Sequence, residues 1–220
     1  MLNIYNLFLS HTEIFKGIPV QDIDKAIACL RGFYKSFDDG QEVYNFDDTV
    51  SYMGILISGE VNIEHVGIDG KVVLLKQVGK GELFGAALCY LREPNRFLRM
   101  VSVGKTKVLF IRMPGGQQYE RCTCPYRVIV LENILKEMAL DAQQLNMKIQ
   151  LLIQTSLRSK ILFYLNVTSR TLNKNPFVIP FTREKLAQFI CADRSAVSRE
   201  LGRMNKEKII KLEGKKITLL

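Results

Sequence analysis

Thr182-Arg183-Glu184-Lys185-Leu186-Ala187-Gln188-Phe189-Ile190-Cys191-Ala192-Asp193-Arg194-Ser195-Ala196-Val197-Ser198-Arg199-Glu200-Leu201-Gly202-Arg203-Met204 reads as two short helices joined by a turn. Thr182 is placed to cap the first helix, whose Leu186, Ala187 and Ile190 point inward. The small side chain of Ala187 lets a second helix cross closely. Asp193 suits the N-cap of that second helix, because its carboxylate accepts from backbone N–H groups with no partner inside the helix. Val197, Leu201 and Met204 follow at i, i+4 and i+7, which buries them and turns Arg194, Ser195, Ser198 and Arg199 toward solvent. Two such helices, with a polar and basic outer face on the second, form a helix-turn-helix. Arg donates two hydrogen bonds to guanine O6 and N7 in the major groove, and Ser reaches bases or phosphate. Arg194, Ser195, Ser198 and Arg199 are therefore the candidate base-reading residues.

Working outward, Ile209-Ile210-Lys211-Leu212 and Lys216-Ile217-Thr218-Leu219 alternate loosely around Glu213-Gly214-Lys215 and predict a hairpin. Lys211, Lys215 and Lys216 on such a wing reach phosphates and add salt-dependent affinity without base information. Thr182, Arg183, Arg203 and Lys215 form the candidate phosphate-contacting set. On the other side, a helix is expected near Thr155–Val167, with Leu157, Ile161, Leu162 and Leu165 on one face. A turn at Asn173-Lys174-Asn175-Pro176 and a strand over Phe177–Pro180 follow it.

Further upstream, Val128, Leu131, Leu135, Met138, Ala142, Leu145, Ile149 and Leu152 are spaced alternately three and four apart. No Pro or Gly interrupts Arg127–Leu152, so a single helix about 37 Å long is expected at 1.5 Å per residue. The further apolar residues Ile129, Ile134 and Ile153 imply that a second face is also covered. One side is expected to pack on the rest of the chain and the other on a twin helix, with Leu131, Leu135, Met138, Ala142, Leu145 and Ile149 at the dimer interface.

From Phe33 to Met113 the pattern changes to short β segments: 52–57, 61–65, 72–75 and 107–111. Asp38-Asp39-Gly40, Ser58-Gly59-Glu60 and Asp69-Gly70-Lys71 are expected as the turns between strands, in an antiparallel barrel, sandwich or jelly roll. A short helix, roughly Val20–Leu30, precedes them. Asp38-Asp39 and Asp47-Asp48 read as loop charges, since no His or metal-ligand spacing accompanies them.

Charge follows the same division. The chain has 220 residues with 31 Lys+Arg against 22 Asp+Glu, a net +9. Residues 1–120 carry 13 basic and 14 acidic side chains, residues 121–180 carry 8 and 3, and residues 181–220 carry 10 and 5. The whole surplus therefore lies in the last hundred residues, as expected of a near-neutral module joined to a part that meets polyanions. With 47% hydrophobic residues the chain builds real cores, which argues against disorder. It has no apolar run long enough for a transmembrane helix, and Met1-Leu2-Asn3-Ile4-Tyr5 lacks the features of a signal peptide. Five cysteines without framework spacing suit a reducing cytosol. No Ser-His-Asp set, metal constellation or P-loop points to an enzyme.

The Thr-Arg-x-x-Leu-Ala start at Thr182 and the Arg-x-x-Val-Ser-Arg-x-Leu run from Arg194 to Leu201 resemble the winged helix of the Crp/Fnr family of bacterial transcription regulators. Gly59-Glu60-Val61 and Gly81-Glu82-Leu83-Phe84-Gly85 resemble that family's β-roll, and the likeness covers nearly the whole chain. It implies an α+β fold in three parts: an antiparallel β-roll of the cyclic-nucleotide-binding type over 1–122, a dimerisation helix over 123–154 and a winged helix-turn-helix over 155–220. It also implies a cytoplasmic homodimer that acts on double-stranded DNA at a near-palindromic operator, with RNA polymerase as a further partner and no membrane. The positions matching Arg194, Ser195, Ser198 and Arg199 are those that read the half-site in the family. Hinge residues near Thr155–Arg158 are expected to carry the effector's signal to the recognition helices.

The effector is the point of departure. Gly81, Glu82, Phe84, Gly85 and Arg96 are the candidate effector-binding residues. In the cyclic-nucleotide binders a glutamate after the Gly-rich turn holds the ribose, and an arginine followed by a small hydroxyl residue holds the phosphate. This chain has Ala86 and Phe97 in place of the glutamate and the hydroxyl, which argues against cyclic AMP and leaves a small effector of unidentified chemistry. The N-terminal cysteine group of the family's iron–sulfur branch is missing, since only Cys29 precedes Cys89. No cofactor or metal is assigned, and His11 and His65 read as ordinary surface or strand histidines rather than haem ligands. Two alternatives stay open: a thiol redox response through Cys122 and Cys124, and a ligand-binding module that docks a protein or membrane.

Overall fold

Runs of apolar residues that belong to two cores at once organise the N-terminal half. In the computed structural model, Ile55 and Ile57 bury on one face of a strand while Leu56 buries on the other. Val108 and Phe110 likewise oppose Leu109 and Ile111. A continuous apolar run of this kind marks a strand covered on both sides. The structure describes residues 4–44, 49–67, 70, 72–92, 98–113, 124–179 and 182–220. Met1–Asn3, Asp47, Asp48, Asp69, Lys71, Arg96, Phe97, Cys122, Pro180 and Phe181 lie outside that set, so the expectations placed on them are not addressed by it.

The chain divides into two compact units, Met1–Asp141 and Ala142–Leu220. The first opens with helix α1 (Asn6–Ser10), two 3₁₀ turns (Glu13–Phe15 and Val20–Asp22) and helix α2 (Ile23–Cys29). Strands β1 (Phe33–Phe37), β2 (Glu42–Tyr44), β3 (Met53–Val66), β4 (Val72–Val78) and β5 (Leu83–Phe84) come next. Helix α3 (Ala86–Leu91), strand β6 (Leu98–Ile111) and helix α4 (Tyr126–Leu152), which runs past the unit boundary, complete this part. The sheet is antiparallel in the order β1-β6-β3-β4, with β2 also on β6 and β5 also on β3.

One expected turn is not a turn. Ser58-Gly59-Glu60 sits inside the 14-residue strand β3, where the register against β6 shifts on both sides of Ser58. Gly59 has φ +80°, and a Cβ there would stand 2.7 Å from the Lys105 carbonyl oxygen. The same residue types serve a turn and a β-bulge, and here they bend one strand.

Helix α4 presents two kinds of surface. Val130 and Ile134 are buried in the core formed by Leu9, Phe15, Ile23 and the outer face of β3 and β6. Asn133 Nδ2 fixes that face by donating to the carbonyls of Ile14 and Lys16, at 3.0 and 2.9 Å. Most of the heptad stripe stays in solvent: Leu131, Leu135, Leu145 and Ile149 are exposed, Leu135 to 67%, and Met138 is half-buried.

In the second unit, helix α5 (Leu157–Leu172) is capped by Ser156, whose Oγ accepts from the Ser159 amide at 3.0 Å. Strand β7 (Phe177–Val178), helices α6 (Arg183–Phe189) and α7 (Arg194–Lys206), and strands β8 (Ile210–Glu213) and β9 (Lys216–Leu219) follow. The small sheet is antiparallel, in the order β7-β9-β8. Ile161, Leu165, Leu186, Ala187, Ile190, Val197, Leu201, Met204, Ile210 and Ile217 fill one core between helices and sheet.

Candidate nucleic-acid interface

The local chemistry of α7 begins at Asp193. Its Oδ1 accepts from the amides of Ser195 and Ala196 at 2.8 and 3.0 Å, satisfying two backbone donors that the helix itself leaves free. The Ser195 hydroxyl donates to the same oxygen at 2.5 Å. The hydrogen bond from Ser195 and then that from the Ala196 amide hold the Asp193 carboxyl below its ordinary value. With the cap set, Val197, Leu201 and Met204 are fully buried, and Arg194, Ser195, Ser198 and Arg199 are exposed. The Ser195 hydroxyl donor is thus engaged at the cap, leaving its lone pairs as the atoms free to meet a nucleic acid.

The four phosphate candidates divide into two kinds. Arg203 and Lys215 are exposed, and the Arg203 guanidinium lies 3.7 Å from Glu200. Arg183 is half-buried and donates to the Gly214 carbonyl at 3.2 Å, tying the start of α6 to the turn of the wing, where Gly214 has φ +63°. Thr182 is exposed immediately before α6. Within the wing, Lys211 pairs with Glu213 at 2.7 Å, which neutralises its charge locally.

Two further basic side chains shape this unit without standing out in the sequence. Lys148, near the end of α4, donates to the Phe189 carbonyl and lies 4.1 Å over the Phe189 ring, and burial pushes its pKa down. Arg158, in the first turn of α5, donates to Glu200 at 2.5 Å and to both oxygens of Glu207 at 2.6 and 3.0 Å. The signal for Arg158 is weak but physical: a cation in a helix's first turn opposes the macrodipole, so something else must hold it there.

Of the candidate effector residues, Gly81, Glu82, Phe84 and Gly85 lie among the described residues. Gly81 and Glu82 line a shallow cavity of about 250 Å³ beside Phe8, Thr12 and Glu137, where the Glu82 carboxylate accepts from the Gly79 amide at 3.3 Å. Phe84 is buried in the roll core, and the only side of Gly85 that could be extended faces Tyr44. Gly85 has φ +74°, and a Cβ on it would stand 2.7 Å from the Tyr44 hydroxyl oxygen. Tyr44 itself donates to the Tyr52 carbonyl at 2.8 Å, and its ring packs on Phe84 and Phe110 with centroids 5.8 and 5.9 Å away. Burial pushes the Tyr44 phenol well above its ordinary pKa. Ala86, at the position of the family's ribose-binding glutamate, is a buried apolar residue. At this corner a methyl group stands where a ribose-binding carboxylate is expected, and a hydrogen-bonded tyrosine abuts the glycine turn. Among the described residues, no cluster of His, Cys, Asp and Glu is placed to hold a metal ion, and Cys29, Cys89, Cys124 and Cys191 form no disulfide. No helix among the described residues is long and apolar enough to cross a membrane.

Comparison with known proteins agrees with this layout. The family model of the cyclic nucleotide-binding domain matches residues 34–115, and that of the Crp-like helix-turn-helix domain matches residues 159–220. A curated relative, "Probable transcriptional regulator flp" of Lacticaseibacillus casei, is 22% identical over 174 residues, covering 79% of this chain and 77% of the relative. The solved structure of the catabolite activator protein of Thermus thermophilus superposes with a TM-score of 0.54 at 20% identity, over 95% of this chain and 94% of that one. The regulator CLP of Xanthomonas campestris, described as c-di-GMP responsive, superposes with a TM-score of 0.53 at 18% identity, over 91% and 99%. At these identities the structural likeness speaks for the fold.

Proposed function

From the premise that this chain belongs to the Crp/Fnr family of transcription regulators, we propose that it is a homodimer that reads a near-palindromic DNA operator through α7. The observation that carries the reading is the construction of α7. It has a satisfied acidic cap, an apolar face sunk in the core, and Arg194, Ser198 and Arg199 in solvent. Arg194 and Arg199 are the guanine-reading residues, Ser198 and the lone pairs of Ser195 add adaptable contacts, and Thr182, Arg183, Arg203 and Lys215 meet phosphates. The stripe Leu131, Leu135, Met138, Ala142, Leu145 and Ile149, exposed except for the half-buried Met138, is the surface covered by the second copy, since a run of large apolar residues in water on one helix face calls for a partner. Two α7 helices related by such a dimer meet successive major grooves about 34 Å apart.

Control comes from the roll, by a small effector that is not a cyclic nucleotide. Ala86 and the Tyr44–Gly85 contact support that reading. Selection of bound sequences from random DNA, followed by gel-shift titration, tests the function. Wild-type protein is expected to recover a two-fold symmetric site, and Arg199→Ala to lose its preference for that site while remaining dimeric. Undiminished operator preference in Arg199→Ala would sink the assignment of α7 as the reading helix. Binding should also weaken steeply with salt, which separates DNA from a protein or membrane partner held by apolar contacts.

A further inference from the structure

We infer that Arg158 is a positioning residue for DNA reading: forked between Glu200 and Glu207, it sets the rotation of α7 about its own axis and thereby the direction of Ser198 and Arg199. The inference rests on the reading of α7 as the base-contacting helix.

The geometry is specific. Nε of Arg158 takes Glu200, and the two terminal nitrogens take the two oxygens of Glu207, so one planar guanidinium spans two carboxylates. Glu200 lies within α7 and Glu207 is its C-cap residue with helical φ, seven residues on, so the two are two turns apart at nearly the same angular position. Fixing both restrains α7 against rolling as well as sliding. Apolar packing of Val197, Leu201 and Met204 alone tolerates a small roll, because such contacts have no directional preference. A roll matters here because Arg199 directly precedes Glu200 in sequence and so turns with it. Glu200 is only 12% exposed on its side chain, so its carboxylate depends on the Arg158 hydrogen bond to offset the water it has lost.

Electrostatics adds a second role that experiment can separate from the first. Two carboxylates, one on a helix that approaches DNA and one at its C-cap, repel phosphates, and Arg158 cancels one of their two charges. Lys in its place would keep that cancellation and lose the fork, since an ammonium is a point charge that cannot bridge three oxygens in one plane.

The experiment measures affinity for the selected operator and for a random duplex of equal length, at several salt concentrations, in full-length wild type, Arg158→Lys, Arg158→Ala and Glu207→Gln. Arg158→Lys is expected to keep random-duplex affinity within about twofold while its operator-to-random ratio falls about tenfold. Glu207→Gln removes a negative charge, so its affinity for random DNA should rise while the ratio falls. Arg158→Ala should lose on both counts. An unchanged ratio in Arg158→Lys overturns the inference, as does a parallel fall in both affinities together with a lower melting temperature. Should wild type itself show no preference for any site, the reading of α7 fails first and this inference with it.

Discussion

Two regions that carry family motifs have opposite fates in this molecule. On α7 the motif residues Arg194, Ser198 and Arg199 stand in solvent, and the apolar residues between them do the packing. At the corner of β5 and α3 the motif residues Phe84, Gly85 and Ala86 have themselves become packing, closed over by Tyr44. A site that must meet DNA stays polar and unpartnered by construction. At the roll corner the same kind of position is filled by side chains, and burying an aromatic ring there stabilises the fold.

Substitutions probe this contrast, and the largest effect is expected in the roll. Phe84→Ala should destabilise the protein by about 3–5 kcal/mol, read by denaturant unfolding, because it removes a ring from a closed core. A cost near zero would mean that the corner is not packed as described. Arg199→Ala should cost about 1–3 kcal/mol of operator discrimination per half-site and leave the unfolding midpoint almost unmoved. Gly85→Ala should cost about 1–3 kcal/mol of stability, since it forces a Cβ onto both a positive φ and the Tyr44 ring. Calorimetric titration with cyclic AMP or cyclic GMP should give no binding heat, and saturable binding at micromolar concentration would reopen the cradle.

The smallest effect separates the two regions by pH. Asp193 has its folded-state pKa held below the ordinary value of 3.8, so its capping contribution is fully present above 3.8 and is lost as pH falls from there through the lower folded-state value. Melting temperatures of wild type and Asp193→Asn should therefore differ at neutral pH and converge as the pH falls below about 4. Curves that stay parallel across that range would contradict the cap.

Much of the second unit was legible in the sequence because its signals are local. A cap at Asp193 and an apolar period at Val197, Leu201 and Met204 lie within one helix, and helix geometry converts spacing directly into exposure. The heptad stripe on α4 was legible for the same reason, as was its second, packed face at Ile134. The roll was legible as a class of fold and less so in detail. Ser58-Gly59-Glu60 has turn composition, yet the bulge that it forms depends on Lys105 and Thr106 of a strand far along the chain. Tyr44 carries no local mark of its contact with Gly85, because sheet pairing brings them together. Arg158 was legible only as one end of a hinge, because its partners lie more than forty residues downstream at Glu200 and Glu207.

Tyr44 gives the roll a further property. A phenol ring that abuts a glycine turn, with its hydroxyl already bonded to the Tyr52 carbonyl, is in effect a ligand that the chain supplies to itself. Cutting it back to alanine leaves a void of the ring's own shape, and engineered voids of that kind take up the fragment that was removed. Added phenol or p-cresol should then raise the melting temperature of Tyr44→Ala and leave that of the wild type unmoved.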